Sequence, residues 1–224
     1  MDKAISTKPI IGILLKDIDE ENKRSTIPSP TAKYNIGTQF IHYLGPDISD
    51  IALIRPDDTP TLIQAKMDSI SGVFLTGGTC DIYNIDKDTN KRTETTYAKA
   101  ARIILQYAIQ INKRGIHFPV FGLCLGFEAM IALLGEDQNL LEYYDNRNYN
   151  ANLIYSVPIK ESKILSQWGE ELCSKLNTDE LTINYHWFHT TKERFEANAV
   201  LNKLFKVVAL SNSKDKQILI YQCN

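Results

Sequence analysis

At 224 residues, with 43% hydrophobic and 23% charged side chains, the chain has ordinary globular composition and enough length for a sizeable core. A formal net charge of −2 and a pI near 6.1 exclude the basic footprint that nucleic acid or an anionic membrane surface would require. Cys80, Cys124, Cys173 and Cys223 form no Cys-x-x-Cys pair and no metal-type cluster with the four histidines, so neither structural zinc nor a disulfide framework is expected. Met1 to Thr7 lacks the apolar stretch of a secretory signal, and no apolar run approaches the ~20 residues that span a bilayer.

In chain order, Pro9 to Leu15 is a continuous apolar run that predicts a strand buried on both faces. A polar loop follows over residues 16 to 33. From Tyr34 the apolar residues Ile36, Phe40, Ile41 and Leu44 keep helical spacing until Gly45-Pro46. Ile51 to Ile54 predicts a second strand, and a helix starts at Thr61. Gly72 to Leu75 is a third strand that breaks at Thr76-Gly77-Gly78, where successive glycines let backbone N–H groups face a ligand. The alternative is an ordinary Gly-Gly turn. Asp81 to Thr93 reads as a polar loop, and Tyr97, Ala101, Ile104, Leu105, Ala108 and Ile111 mark a long amphipathic helix ending near Gly115.

Phe118-Pro119-Val120-Phe121-Gly122-Leu123-Cys124-Leu125-Gly126-Phe127-Glu128 comes next, a short apolar run turning through Gly-x-Cys-x-Gly into a helix. A sharp strand-to-helix turn exposes the residue at its apex, and small residues two positions to either side let strand and helix approach. Cys124 occupies the apex. At the first turn of a helix its thiol feels the positive end of the macrodipole, which favours the nucleophilic thiolate. The N–H of Leu125, left over at the helix start, is placed to donate to an oxyanion. The alternative is an inert buried cysteine.

Alternation of strand and helix predicts parallel strands with ligands beyond their C-terminal ends, where Gly77-Gly78 and Cys124 both fall. Beyond the elbow, Asn152 to Ile159 reads as an antiparallel or edge strand because it contains Pro158. Ile164 to Leu176 predicts a helix with Trp168 and Cys173 in the core. Asn184 to His189 is an aromatic and histidine cluster, and Ala197 to Phe205 is helical. Val207 to Leu210 and Ile218 to Tyr221 pair around the Ser211 to Lys216 turn. No repeat, low-complexity tract or linker divides the chain, which reads as one domain over residues 1 to 224.

The elbow resembles the nucleophile motif of the γ-glutamyl hydrolases, peptidase family C26, within the class I glutamine amidotransferase-like superfamily. Phe127-Glu128 points to the hydrolase branch. Lys8 to Leu14, Gly72 to Gly78 and Asn184-Tyr185-His186 extend the resemblance in the right order along most of the chain. It implies a doubly wound, mostly parallel, flavodoxin-like α/β sheet with an antiparallel C-terminal extension. It also implies that the Gly77-Gly78 turn supplies a second oxyanion donor, with Thr76 standing where the family usually has Pro.

A cysteine nucleophile needs a histidine base. His42 reads as a surface residue, and His117, seven residues before Cys124 at ~3.3 Å per residue, lies roughly 23 Å away at the wrong end of the sheet. The resemblance expects the base in a His-Pro-Glu motif after a strand like Gln217 to Gln222. No His-Pro-Glu occurs in these 224 residues, so the base is expected beyond Asn224, with a closing strand and helix missing. His186 then matches a substrate-binding histidine of the family, the alternative being a histidine packed among Tyr185, Trp187 and Phe188. Glu128 is expected either to help orient substrate or to partner the helix dipole.

The activity implied is cysteine-dependent hydrolysis of γ-glutamyl bonds in folylpoly-γ-glutamates or γ-glutamyl peptides, with no metal or organic cofactor. Neither nucleic acid nor membrane is an expected partner, and a homodimer is left open. The resemblance implies a vacuolar, lysosomal or secreted protein, whereas the lack of a visible leader leaves the cytoplasm open. The rivals are an amidotransferase subunit passing ammonia to a synthase, and a catalytically silent binding module.

Overall fold

The computed structural model describes residues 8–17, 33–35, 38–45, 47–137, 139–213 and 217–223. The chain forms two compact units, Met1–Leu133 and Leu134–Asn224.

The first unit is built on β1 (Ile10–Leu14), β2 (Asp50–Ile54), β3 (Gly72–Leu75) and β4 (Val120–Gly122). All three pairings are parallel, in the order β2-β1-β3-β4. This is the flavodoxin-like order, in which the chain winds outward in both directions from the gap between β1 and β3. Ile13, Leu14, Val73, Phe74 and Leu75 are buried, as expected of strands covered on both faces. Helices fill the three crossovers, α1 (Thr38–Leu44), α2 (Pro60–Met67) and α3 (Thr96–Lys113), and α4 (Leu125–Gly135) follows the last strand.

Local chemistry sets the helix ends. Thr59 caps α2 by accepting from the N–H of Leu62, with Pro60 in the first turn where its missing N–H costs nothing. Thr95 caps α3 by accepting from Ala98 N–H at 3.2 Å, and its own hydroxyl donates to Asp81 O at 2.8 Å. Along α3 the small residues Ala98, Ala101 and Ala108 and the apolar Ile104 and Leu105 are buried. On α1, Phe40 packs edge-on against Phe74 of β3 with centroids 5.3 Å apart, joining Ile13 in the core.

Two expectations for this unit need correction. The first helix begins at Thr38, because Tyr34–Asn35 are extended and pair antiparallel with Lys16–Asp17. The segment read as a loop from Asp81 to Thr93 contains a hairpin, Tyr83–Ile85 against Arg92–Glu94. Polar composition hid it; Asp86 organises the turn by accepting from the N–H groups of Asp88 and Thr89 and the Thr89 hydroxyl, and Asn90 takes φ +52°.

The second unit is largely antiparallel. Its strands are β5 (Glu142–Tyr143), β6 (Tyr149–Ala151), β7 (Leu153–Tyr155), β8 (Thr182–Asn184), β9 (Phe188–His189), β10 (Phe205–Asn212) and β11 (Gln217–Cys223). They form one sheet ordered β7-β10-β11 and two ribbons, β6-β8 and β5-β9. The expected pairing of the last two strands is present, with Leu210 opposite Leu219 and Ser211 opposite Ile218; residues 214–216 of the turn lie outside the described residues.

The strand read over Asn152 to Ile159 is shorter, ending at Tyr155, and Ile159 belongs to a 3-10 turn after Pro158. The helix read from Ile164 to Leu176 is broken by Gly169, at φ +79°, into a turn over Leu165–Trp168 and α5 (Glu170–Thr178). Cys173 is buried beside Leu165 and Val208, but the break turns Trp168 outward and leaves it 40% exposed. The helix expected over Ala197 to Phe205 is α7 (Ala199–Leu204), started by Asn198, whose carboxamide oxygen accepts from the N–H groups of Val200 and Leu201; a short helix before it, α6 (Lys192–Ala197), was not foreseen.

No helix among the described residues is long and apolar enough to cross a membrane.

Candidate active site

Beyond the C-terminal end of β4 the chain turns sharply. Leu123 N–H still donates to Leu75 O at 3.0 Å, extending the β3 ladder by one bond, and α4 begins at Leu125. Between them Cys124 takes φ +51°. For an L-residue this left-handed conformation costs roughly 1–2 kcal/mol, and the surrounding packing holds it.

That packing is made possible by the two elbow glycines. A Cβ on Gly126 would lie 2.0 Å from Leu75 O, and one on Gly122 would lie 2.8 Å from the Gly126 carbonyl carbon. Both sites therefore require glycine because backbone meets backbone. Cys124 O then accepts from Glu128 N–H at 2.9 Å, closing the first turn of α4.

The Gly77-Gly78 turn faces the elbow from β3. A Cβ on Gly77 would sit 3.3 Å from Cys124 Cβ. Burial, followed by the carboxylate of Glu128, pushes the Cys124 thiol above its ordinary range. Hydrogen bonds from the backbone N–H groups of Leu125 and Gly78, then the charge of Lys16, act in the opposite sense. The helix-start activation expected of Cys124 is thus present but outweighed, first by burial of the thiol and then by Glu128, which lies one turn along α4 and is only 9% exposed.

Lys16 and Tyr97 complete this surround. Lys16, 4% exposed just past β1, donates to Gly77 O at 2.6 Å. Tyr97 is buried at the start of α3, raised in pKa by burial and then by Cys80, Glu128 and Cys124. Among the described residues its hydroxyl has no hydrogen-bond partner.

In the second unit, His186 lies between β8 and β9. Its Nδ1 is 2.8 Å from Phe188 O and its Nε2 3.4 Å from Asn184 Oδ1. With Nδ1–H donating to the Phe188 carbonyl, Nε2 is the basic nitrogen, and burial holds the ring's pKa below its usual value. The His186 and His189 rings are 6.5 Å apart at right angles, and His189 Nε2 is 3.9 Å from Glu142 Oε2. His42 on α1 and His117 before β4 are exposed. No group of three metal-ligating side chains occurs among the described residues.

The family model of peptidase C26 matches residues 9–218. The chain belongs to the peptidase C26 family. Among its relatives, gamma-glutamyl hydrolase B of Dictyostelium discoideum is 29% identical over 213 residues, covering 94% of this chain and 56% of the relative. Gamma-glutamyl hydrolase of Mus musculus is 27% identical over 203 residues, 91% and 59% of the two chains. The Homo sapiens gamma-glutamyl hydrolase is 29% identical over 201 residues, 90% and 58%. The chain thus spans little more than half the length of these curated relatives.

For this member of the family, Cys124, Leu125, Gly77, Gly78 and Glu128 are brought together in the first unit, while His186 belongs to the second. Sequence reasoning missed Lys16 and Tyr97. Lys16 was hidden as the first residue of a polar loop, though a lysine directly after a buried strand end was a usable signal. Tyr97 reads as one more apolar position of an amphipathic helix, and nothing in the pattern distinguishes it.

Proposed function

We propose that Cys124 is the nucleophile of a cysteine-type γ-glutamyl hydrolase whose substrates are folylpoly-γ-glutamates. The observation that carries this reading is the positive-φ elbow, where the backbone N–H groups of Leu125 and Gly78 both favour negative charge at the sulfur. The names of the relatives supply the bond cleaved.

The sulfur adds to the γ-carbonyl carbon, and the carbonyl π pair moves to oxygen between the N–H groups of Leu125 and Gly78. Collapse of this intermediate expels the amine of the next glutamate, which takes a proton, and leaves a γ-glutamyl thioester on Cys124. Water then cleaves the C–S bond, giving the γ-carboxylate and restoring the thiol. A thiol held above its ordinary range needs a base at the moment of attack. His186 is assigned to substrate binding and Glu128 to indirect orientation of substrate.

Pteroyltriglutamate incubated with the chain tests this. A pteroyl-γ-glutamyl mass adduct on Cys124, with release of glutamate or γ-glutamyl peptides, is expected, and Cys124→Ala should abolish both. Ammonia released from glutamine with the polyglutamate left intact would replace this reading with an amidotransferase one.

A further inference from the structure

The turn facing Cys124 is made of the two residues with the greatest backbone freedom, Gly77 and Gly78. Left to itself, the peptide joining them would rotate and its N–H would point at Cys124 only part of the time. The structure holds this peptide from its other side. The Gly77 carbonyl and the Gly78 N–H belong to one planar trans peptide and point in opposite directions. Lys16 Nζ donates to that carbonyl at 2.6 Å, the short distance of a charge-assisted hydrogen bond.

Lys16 is 4% exposed at the end of β1, and β1 and β3 are the strands between which the winding reverses. The buried stem thus sets the ammonium across the switch point, on the face of the Gly77–Gly78 peptide opposite the thiol. A cation on a peptide oxygen also polarises its N–H, strengthening the donor by roughly 10–30%.

We propose that Lys16 is a positioning residue: its ammonium pins the Gly77–Gly78 peptide so that Gly78 N–H is fixed as an oxyanion donor, and its charge acts on the Cys124 thiol from across that peptide. The inference rests on the reading of Cys124 as nucleophile. Among the described residues, the titratable groups that also act on this thiol or its surround include Glu128 from α4 and Tyr97 from α3, with Cys80 acting on Tyr97.

Two readouts test it on the 224-residue chain without turnover. The first is binding of 5-oxopentanoate, the glutamate γ-aldehyde without its amino group. Its carbonyl carbon bonds to Cys124 sulfur, the thiol proton ends on the aldehyde oxygen, and that oxygen occupies the oxyanion position. The second is the rate of Cys124 alkylation by iodoacetamide as a function of pH. Lys16→Met should weaken aldehyde binding about tenfold, less than the ~10²–10³ of deleting an oxyanion donor outright. It should also move the alkylation midpoint to higher pH, slowing the reaction roughly three- to tenfold at neutral pH. Lys16→Arg, which keeps donor and charge, should recover most of both. Should the Met variant not fold, Lys16→Gln carries the test, since it removes the charge with a polar side chain of similar shape and must still raise the midpoint.

Unchanged aldehyde binding and an unchanged alkylation profile in a folded neutral variant would overturn the role of Lys16 alone. A wild-type chain that forms no aldehyde adduct and alkylates Cys124 no faster than Cys173 would remove the nucleophile reading, and this inference with it.

Discussion

Gly126→Ala adds one methyl group, and the structure gives that methyl nowhere to go. Its Cβ would lie 2.0 Å from Leu75 O and 2.6 Å from Leu75 C, both backbone atoms of β3. A flexible side chain could swing aside, but here α4 must retreat from the sheet or β3 must bend, and either movement breaks the elbow. Overpacking usually costs about 1–3 kcal/mol, and a backbone neighbour puts this site at the top of that range, about 3 kcal/mol. For a chain of this size the loss corresponds to a fall in Tm of roughly 6–12 °C. The probe must follow the first unit. Both tryptophans, Trp168 and Trp187, lie in the second, so their fluorescence is the wrong signal. Far-UV circular dichroism, dominated by the 18-residue α3, is the right one. Gly115→Ala serves as the control: at φ +82° with nothing within 4 Å, it isolates conformational strain, expected at about 1 kcal/mol. A Gly126→Ala variant no less stable than Gly115→Ala would refute the close-approach argument.

Two further outcomes follow from the electrostatics. Glu128→Gln removes the negative charge that, after burial, raises the Cys124 thiol, so the pH midpoint of iodoacetamide alkylation should move down, the opposite direction to Lys16→Met; an upward shift would contradict the assigned sign. Asp58, buried between α2 and the end of β2, accepts from Arg55 N–H at 2.9 Å, Arg55 Nε at 3.0 Å and Lys66 Nζ at 2.5 Å. Burial works against its ionisation, yet these bonds prevail and hold its pKa below the ordinary carboxylate value. A depressed pKa stabilises the fold above the unfolded value near ~4 and loses that contribution as pH falls through the folded one. Asp58→Asn should therefore cost about 2 kcal/mol in urea unfolding at pH 7, and the gap to wild type should close on acidification.

What the sequence made legible follows from how directly each feature is written in local residue types. The buried parallel strands are continuous apolar runs, and the elbow glycines sit where backbone contact demands them, so β1, β3, β4 and the place of Cys124 could be read in order. The hairpin after Gly78 could not, because its register depends on an Asp86 turn and on partners in a uniformly polar segment. Trp168 was misassigned for a related reason: apolar spacing from Leu165 to Cys173 continues across Gly169, and only the positive φ there shows that the helix stops. His186 was singled out by its neighbours, but the carbonyl of Phe188 that orients its ring is a product of the β8-to-β9 connection and leaves no mark in composition.

The electrostatics of Cys124 were the least legible, and they change how the elbow should be understood. A helix start alone would favour thiolate, yet burial comes with the same sharp turn, and Glu128 lies within its first helical turn. The backbone donors of Leu125 and Gly78 and the charge of Lys16 offset part of this penalty without removing it. These groups act most strongly where negative charge is concentrated, and in the acyl transfer proposed for Cys124 that charge moves from sulfur to the carbonyl oxygen. Donors that only partly stabilise the resting thiolate retain capacity for the oxyanion, which is where stabilisation lowers the barrier. A thiol kept protonated at rest is also less exposed to oxidation, since thiolate is the form that oxidants attack. On this reasoning the raised pKa is compatible with nucleophilic catalysis, provided that proton removal is coupled to attack by a positioned base.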